Sequence, residues 1–175
     1  AQQMTGVSRP DGRRITLEYD GGGRPSRTVL GRGANRFSYV AGTGQLAALN
    51  SADGIDTIFG YTGELLTETR WQGLVTGKVN LAYDRNARIR SVSVNDSAIV
   101  HSYDADGALI QSGAQTFTYG SSNGLLTGAQ LGEVGTAWAY NEFSEPTQAI
   151  TTVAGVPFFT TDYLRDKLGR ITRKT

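Results

Sequence analysis

The feature that most constrains this chain is a short unit that recurs at a nearly fixed spacing. Tyr19-Asp20-Gly21-Gly22-Gly23-Arg24-Pro25 returns as Tyr83-Asp84-Arg85-Asn86-Ala87-Arg88-Ile89 and as Tyr103-Asp104-Ala105-Asp106-Gly107-Ala108-Leu109. The pattern is an aromatic residue, Asp, two free residues, Gly, a polar residue and an apolar one. Looser copies run from Phe59 through Gly63 to Leu65, from Tyr140 to Pro146, and from Arg165-Asp166 through Gly169 to Ile171. Two more, Tyr39 through Gly44 to Leu46 and Tyr119 through Gly124 to Leu126, carry one extra residue in the loop. Anchors at 19, 39, 59, 83, 103, 119, 140 and 165 give a mean period of about 21 residues. A fixed period of this length means one supersecondary unit repeated, and it governs every other inference from the chain.

Each copy has the chemistry of a β-hairpin. Before the anchor, apolar and polar residues alternate, as in Ile15, Leu17, Tyr19 and in Val79, Leu81, Tyr83. Alternation of period two describes a strand with one apolar face. Asp after the aromatic accepts hydrogen bonds from backbone N–H groups two or three residues on, and Gly closes the turn at positive φ. The chain then runs back as a second strand. No stretch of a dozen residues carries apolar groups at helical spacing. A lone hairpin cannot bury its apolar face, so neighbours must stack. The expected fold is all-β: a coiled antiparallel sheet of about eight stacked hairpins, as one array over 1–175 with a lead-in over about 1–11 and repeats over 12–175.

Composition narrows the chemistry. The 175 residues include no Cys and a single His, His101, which removes thiolate catalysis and the common zinc sites. The longest apolar runs, such as Ala154 to Phe159, are far shorter than the roughly 20 residues that span a bilayer as a helix. The opening Ala1-Gln2-Gln3-Met4 lacks a basic region followed by an apolar one, so no signal peptide is expected in this form. The net charge of +1 is unevenly spread. Residues 1–40 carry +4, 91–164 carry −7 with no Lys or Arg, and 165–175 carry +4. Basic ends around an acidic middle can steer copies onto one another.

The Tyr-Asp copies at 19–25, 83–89 and 103–109, with Asp166 to Ile171 preceded by Tyr163, resemble the YD repeat of the Rhs proteins, a repeat also found in the C-component of insecticidal toxin complexes and in teneurins. The resemblance covers roughly residues 12 to 175. It implies a β-strand spiral forming the wall of a hollow shell, which in bacterial members encloses a toxic domain and is secreted or displayed at the cell surface. A closed shell takes more than eight repeats, and no Asp-Pro dipeptide of the family's self-cleavage segment occurs. Enclosure is accordingly expected of a parent protein.

The expected function is therefore structural and non-enzymatic, located outside the cell. The structural motif consists of Tyr19, Asp20, Gly23, Tyr39, Gly44, Phe59, Gly63, Tyr83, Asp84, Tyr103, Asp104, Gly107, Tyr119, Gly124, Tyr140, Asp166 and Gly169. Partners are neighbouring repeats or other copies of the chain, with a toxin domain enclosed in the parent. A second reading makes the module an adhesive one, with Trp71 and Trp138 stacking on a glycan. A third makes it a self-assembling unit that pairs through open strand edges.

Other constellations are weaker. Asp20, Asp84, Asp104, Asp106 and Asp166 invite calcium, but calcium needs six to eight converging oxygens and no acid follows at EF-hand spacing, so no metal or cofactor is expected. His101, Ser102 and Asp104 are too close along one strand to form a triad, because adjacent strand residues face opposite ways. Gly21-Gly22-Gly23 and Gly31-Arg32-Gly33 lead into no helix, which argues against a phosphate loop. Asn95-Asp96-Ser97 is formally a glycosylation sequon. Nucleic-acid binding needs a basic face with interleaved aromatics; the Arg cluster from Arg9 to Arg36 is the only candidate for one, and no nucleic acid is expected as a partner.

Overall fold

The structure, a computed structural model, describes residues 3–175; Ala1 and Gln2, the start of the expected lead-in, lie outside the described residues. The fold is all-β, as the alternation requires, with seventeen strands among the described residues. The chain divides into two compact units, the first ending at Ala98 and the second running Ile99–Thr175.

In the first unit the strands are β1 (Gly6–Ser8), β2 (Arg14–Tyr19), β3 (Pro25–Leu30), β4 (Gly33–Tyr39), β5 (Leu46–Asn50), β6 (Ile55–Thr62), β7 (Leu65–Gly73), β8 (Gly77–Tyr83) and β9 (Ile89–Val94). Each pairs antiparallel with the next in sequence. In the second unit β10 (Ser97–Tyr103, entering from the first), β11 (Leu109–Ser112), β12 (Gln115–Tyr119), β13 (Leu126–Leu131), β14 (Val134–Tyr140), β15 (Pro146–Val153), β16 (Val156–Arg165) and β17 (Ile171–Lys174) form the same kind of meander. Sequential antiparallel pairing follows from the short connections, which leave no room for a crossover.

A meander has two edges of turns. In the first unit one edge holds the Asp-type loops after β2, β4, β6 and β8, in the second unit one edge holds those after β10, β12, β14 and β16, and in each unit the other edge holds the remaining turns. Paired residues share a face, so register fixes what each face carries. In the first unit the face bearing the anchor tyrosines also carries Leu17, Phe37, Leu49, Thr57, Phe59, Trp71, Val79, Leu81 and Val92. The other face carries Glu18, Arg27, Arg36, Asp56, Glu68, Arg70, Lys78 and Asn80. In the second unit the anchor face holds an unbroken cross-strand row, Leu131, Val134, Val153 and Val156. No apolar side chain among the described residues is buried. Each unit is a single layer, half-buried by its own neighbours along the ladder and covered on neither face.

Candidate functional site: the repeated loop and its clasp

Five of the eight loops share one geometry. In the first, Asp20 Oδ1 accepts from the backbone N–H of Gly22 and of Arg24, both at 2.9 Å, and Asp20 Oδ2 accepts from Arg24 Nε at 2.7 Å. The backbone closes twice, Asp20 N–H donating to Arg24 O at 2.8 Å and Gly23 N–H to Asp20 O at 2.9 Å. Asp84 with Asn86 and Arg88, and Asp166 with Leu168 and Arg170, repeat these contacts within about 0.3 Å. Asp104 accepts from Ala108 N–H at 2.8 Å in the same frame. Asp20, Asp84 and Asp166 are held below the ordinary carboxylate value, first by the N–H of the residue four positions on. Both carboxylate oxygens of these three are thus engaged by the loop itself, and no group of acids fit to hold a metal occurs among the described residues. The residue before the polar position has positive φ: Gly23 at 80°, Gly107 at 89° and Gly169 at 77°, but also Ala87 at 59° and Ser144 at 63°.

The loops at Tyr39 and Tyr119 are longer by one residue, closed by Val40 N–H to Gln45 O and Gly120 N–H to Leu125 O, both 2.8 Å. Gly44 and Gly124 sit in them at φ 75° and 65°. The third copy has a bare two-residue turn at Gly63-Glu64 between Thr62 and Leu65.

The anchors have a second role that the sequence does not display. A register shift falls immediately before Tyr19, Tyr39, Tyr61, Tyr83, Tyr103, Tyr119, Tyr140 and Arg165. At the Asp-loop edge, β3 and β4 are not joined by a loop, and the same holds for every alternate strand pair. The anchor hydroxyl bridges that open end. Tyr39 donates to Pro25 O at 2.7 Å, Tyr61 to Leu46 O at 3.0 Å, Tyr83 to Leu66 O at 2.7 Å, Tyr119 to Leu109 O at 2.9 Å and Tyr140 to Leu126 O at 2.7 Å. Tyr19 reaches Met4 O at 2.8 Å. In the third copy the residue at the shift is Tyr61; Phe59, two residues earlier in the same phase, pairs with Thr69 and has no hydroxyl to give. In the last copy Arg165 Nη2 donates to Pro146 O at 3.0 Å, so a guanidinium makes the clasp a phenol makes elsewhere.

Loop and clasp are also coupled. Arg24, the fourth residue after Asp20, lies over the ring of the next anchor, Tyr39, at 4.3 Å from its centroid. The seventh loop inverts the polarity: Asn141 replaces Asp, Glu145 replaces Arg, and Asn141 Nδ2 donates to Glu145 Oε2 at 2.8 Å. The next anchor there is Arg165, with its Nε 3.6 Å from Glu145 Oε2. A cation on a ring has been exchanged for an ion pair at the equivalent place.

The remaining sequence candidates fall outside this system. Trp71 lies on the anchor face of β7 with its indole over Gly77, where a Cβ would overlap the ring, beside a cleft of about 330 Å³ that also contacts Gln72, Lys78, Asn95 and Asp96. Trp138 is half-buried opposite Ala149. Asn95 and Asp96 form a tight turn with φ of 46° and 74°, and Asn95 Oδ1 accepts from Lys78 N–H at 2.9 Å. No helix among the described residues is long and apolar enough to cross a membrane.

Comparison with known proteins agrees with this geometry. The family model described as teneurin YD-shell matches residues 1–175. No curated protein matches the chain. The crystal structure of TcdB2-TccC3-TEV aligns with a TM-score of 0.59 at 14% identity, covering 95% of this chain and 11% of that one. A pore form of the Photorhabdus luminescens Tc holotoxin with a mutant TccC3 aligns at 0.57 and 14% identity, covering 90% and 9%. The crystal structure of TcdB2-TccC3 gives 0.56 at 13% identity, covering 95% and 12%. The chain thus spans about a tenth of the length of these solved chains, and the likeness is one of fold.

Proposed function

This chain belongs to the teneurin YD-shell family, and from that premise we propose that it is a structural wall segment, without catalytic activity, of a shell that encloses another body. The observation that carries the reading is the combination of the clasps made by Tyr19, Tyr39, Tyr61, Tyr83, Tyr119, Tyr140 and Arg165 with strands in which no apolar side chain among the described residues is buried. A sheet so tied along its edge holds its form, and its apolar face gains stability only when something lies against it. The enclosed body is a toxin domain of the parent protein, in keeping with the Rhs resemblance and with solved neighbours that are Tc toxin components. Its place is outside the cell, secreted or at the surface.

The test is light scattering behind size exclusion, with a dye that fluoresces on apolar surface added to the same fractions. The isolated chain is expected to bind the dye or to associate, because its anchor face is bare. A monomer that binds no dye at any concentration contradicts the wall reading.

A second reading, a glycan-binding face, has one observation in its favour: the Trp71 cleft combines a ring with the polar groups of Gln72, Lys78 and Asn95. Binding on a glycan array that Trp71→Ala abolishes and Trp138→Ala spares supports it; no binder on the array removes it.

A further inference from the structure

Within the second unit β17 pairs with β16 on one side and presents its other side as an edge, with all four of its residues exposed. The clasps show what such an edge can take, because their register is constant. In all seven described clasps the residue two after the accepting carbonyl pairs with the residue three before the donor, as in Arg27 with Arg36, Gly128 with Ala137 and Gln148 with Asp162. Hydroxyl bond and strand register therefore come together as one fitted contact.

The start of β17 has the acceptor half of this contact. Arg170 and Ile171 stand where Arg24 and Pro25 stand in the first loop: Ile171 pairs with Arg165 across a one-residue shift, as Pro25 does with Tyr19. Asp166 grips the Arg170 guanidinium, with Nε and Nη2 both 2.8 Å from Oδ2, as Asp20 grips Arg24. Arg24 is stacked on the ring of Tyr39, whose hydroxyl donates to Pro25 O. No ring of a described residue lies under Arg170, and its side chain is 73% exposed against 44% for Arg24.

Charge narrows what can fill the place. Residues 167–175 hold four cations, Lys167, Arg170, Arg173 and Lys174, and no acid. Two copies of β17 set antiparallel would oppose like charges, so this edge resists pairing with itself. In the common register an incoming strand sets the residue three before its tyrosine opposite Arg173, and the residue four before it opposite Lys174. Acids at those places meet both cations. No tyrosine of this chain has an acid three or four residues before it. We propose that the edge of β17 accepts one antiparallel strand from a partner of different sequence, an extended acidic segment whose tyrosine lays its ring against Arg170 and donates its hydroxyl to Ile171 O. Main-chain pairing supplies general affinity, and the ring, the hydroxyl and the two acids supply selectivity. The inference stands on the clasp and the charges of β17, whatever lies against the anchor face.

The experiment is a titration of the ¹⁵N-labelled chain with a short synthetic peptide of Thr and Val that carries Tyr near its C-terminal end and Glu three and four residues before it. Saturable shifts are expected at the amides of Arg170 to Lys174, with the first unit unmoved. The same peptide with Phe for Tyr should bind about two- to tenfold more weakly, the scale of one hydrogen bond. A peptide with Lys for both Glu should bind more weakly than the Glu peptide, and a chain carrying Arg173→Glu and Lys174→Glu should reverse that order. Both substituted residues are exposed, and amide shifts away from β17 report that the variant is folded. Absence of saturable shifts at β17, equal binding of the Tyr and Phe peptides, or an order of the Glu and Lys peptides that the variant leaves unchanged overturns the proposal.

Discussion

The anchor tyrosine does two jobs with two parts of one side chain: its ring lies in the apolar row of its face, and its hydroxyl closes an open strand end. The first was legible in the sequence, since Ile15, Leu17 and Tyr19 alternate as a strand must. The second was not, because the accepting carbonyl is chosen by a one-residue register shift that no spacing reveals. Phe59 and Tyr61 share a phase, and equal gaps of 20 favoured Phe59; only the hydroxyl bond to Leu46 O singles out Tyr61. The Asp turns were legible as turns in which the carboxylate accepts from backbone N–H groups, but the expected donors two or three residues on are in fact those two and four residues on, because the turn closes between Asp20 and Arg24. Two residues in them run against local preference: Ala87 and Ser144 occupy the left-handed region that Gly23, Gly107 and Gly169 fill elsewhere. That conformation costs an L-residue roughly 1–2 kcal/mol, of which Gly returns about half through its greater freedom when unfolded. Ser144→Gly and Ala87→Gly should therefore each raise the midpoint of thermal unfolding by about 1–4 °C in a calorimetric melt, and a fall would refute the turn assignment.

Protonation acts at the same scale. Asp20, Asp84 and Asp166 have folded-state values below the ordinary 3.8, set first by the N–H of Arg24, Arg88 and Arg170 respectively. A depressed value means the folded chain holds the carboxylate more strongly than the unfolded one does. The stabilisation is fully present above pH 3.8 and is lost as pH falls through the lower folded value. Melts between pH 6 and pH 2 should show stability dropping in the acid range, with a shallower drop in a chain carrying Asp20→Asn, Asp84→Asn and Asp166→Asn. Identical slopes would contradict the Asp-loop account.

At the scale of the element, the unit of the fold is a loop together with the anchor that follows it. Arg24 over Tyr39 and Glu145 beside Arg165 are two solutions to one contact, and each fails if half of it is replaced. Glu145→Arg alone sets two guanidinium groups against each other, and Arg165→Tyr alone puts a carboxylate over the negative face of a ring. Both single variants should be destabilised. The double variant should recover, with a coupling of about 1 kcal/mol or more in a double-mutant cycle read by urea unfolding. Strict additivity would show that loop and anchor act independently. The sequence displayed the aberrant seventh and eighth copies as degenerate; what it hid is that their departures compensate, since Glu145 and Arg165 lie 20 positions apart and meet only through the ladder. The opposite edge was less legible still. Asn95-Asp96 reads as part of a sequon, yet the chain uses it as a tight turn because both residues tolerate positive φ and Asn95 can hold Lys78 N–H.

For the whole molecule the decisive fact is what the sheet leaves bare. Phe158 and Phe159 remain 79% and 60% exposed, and Val134, Val153 and Val156 stand as an open row between them and Leu131. A single sheet layer with an apolar face needs a covering layer, since burial of such a face is the main favourable term in any β-fold. Alternation in the sequence showed that one face would be apolar; it gave no sign of what lies against it, because period two fixes only relative orientation. The charged face, with Glu18, Arg27, Arg36, Lys78 and Asn80, suits water. The account therefore requires that the two faces see different surroundings in the intact protein that carries these repeats. Val134 and Ala137 lie on opposite faces of β14, both are exposed in this chain, and the sequence has no Cys of its own. The most direct measurement is the rate at which a large thiol-reactive polymer modifies Val134→Cys and Ala137→Cys in that intact protein. A wall segment gives fast labelling at Ala137→Cys and protection at Val134→Cys until the protein is unfolded, whereas equal fast labelling of both would mean that nothing covers the anchor face and that the chain is not a wall.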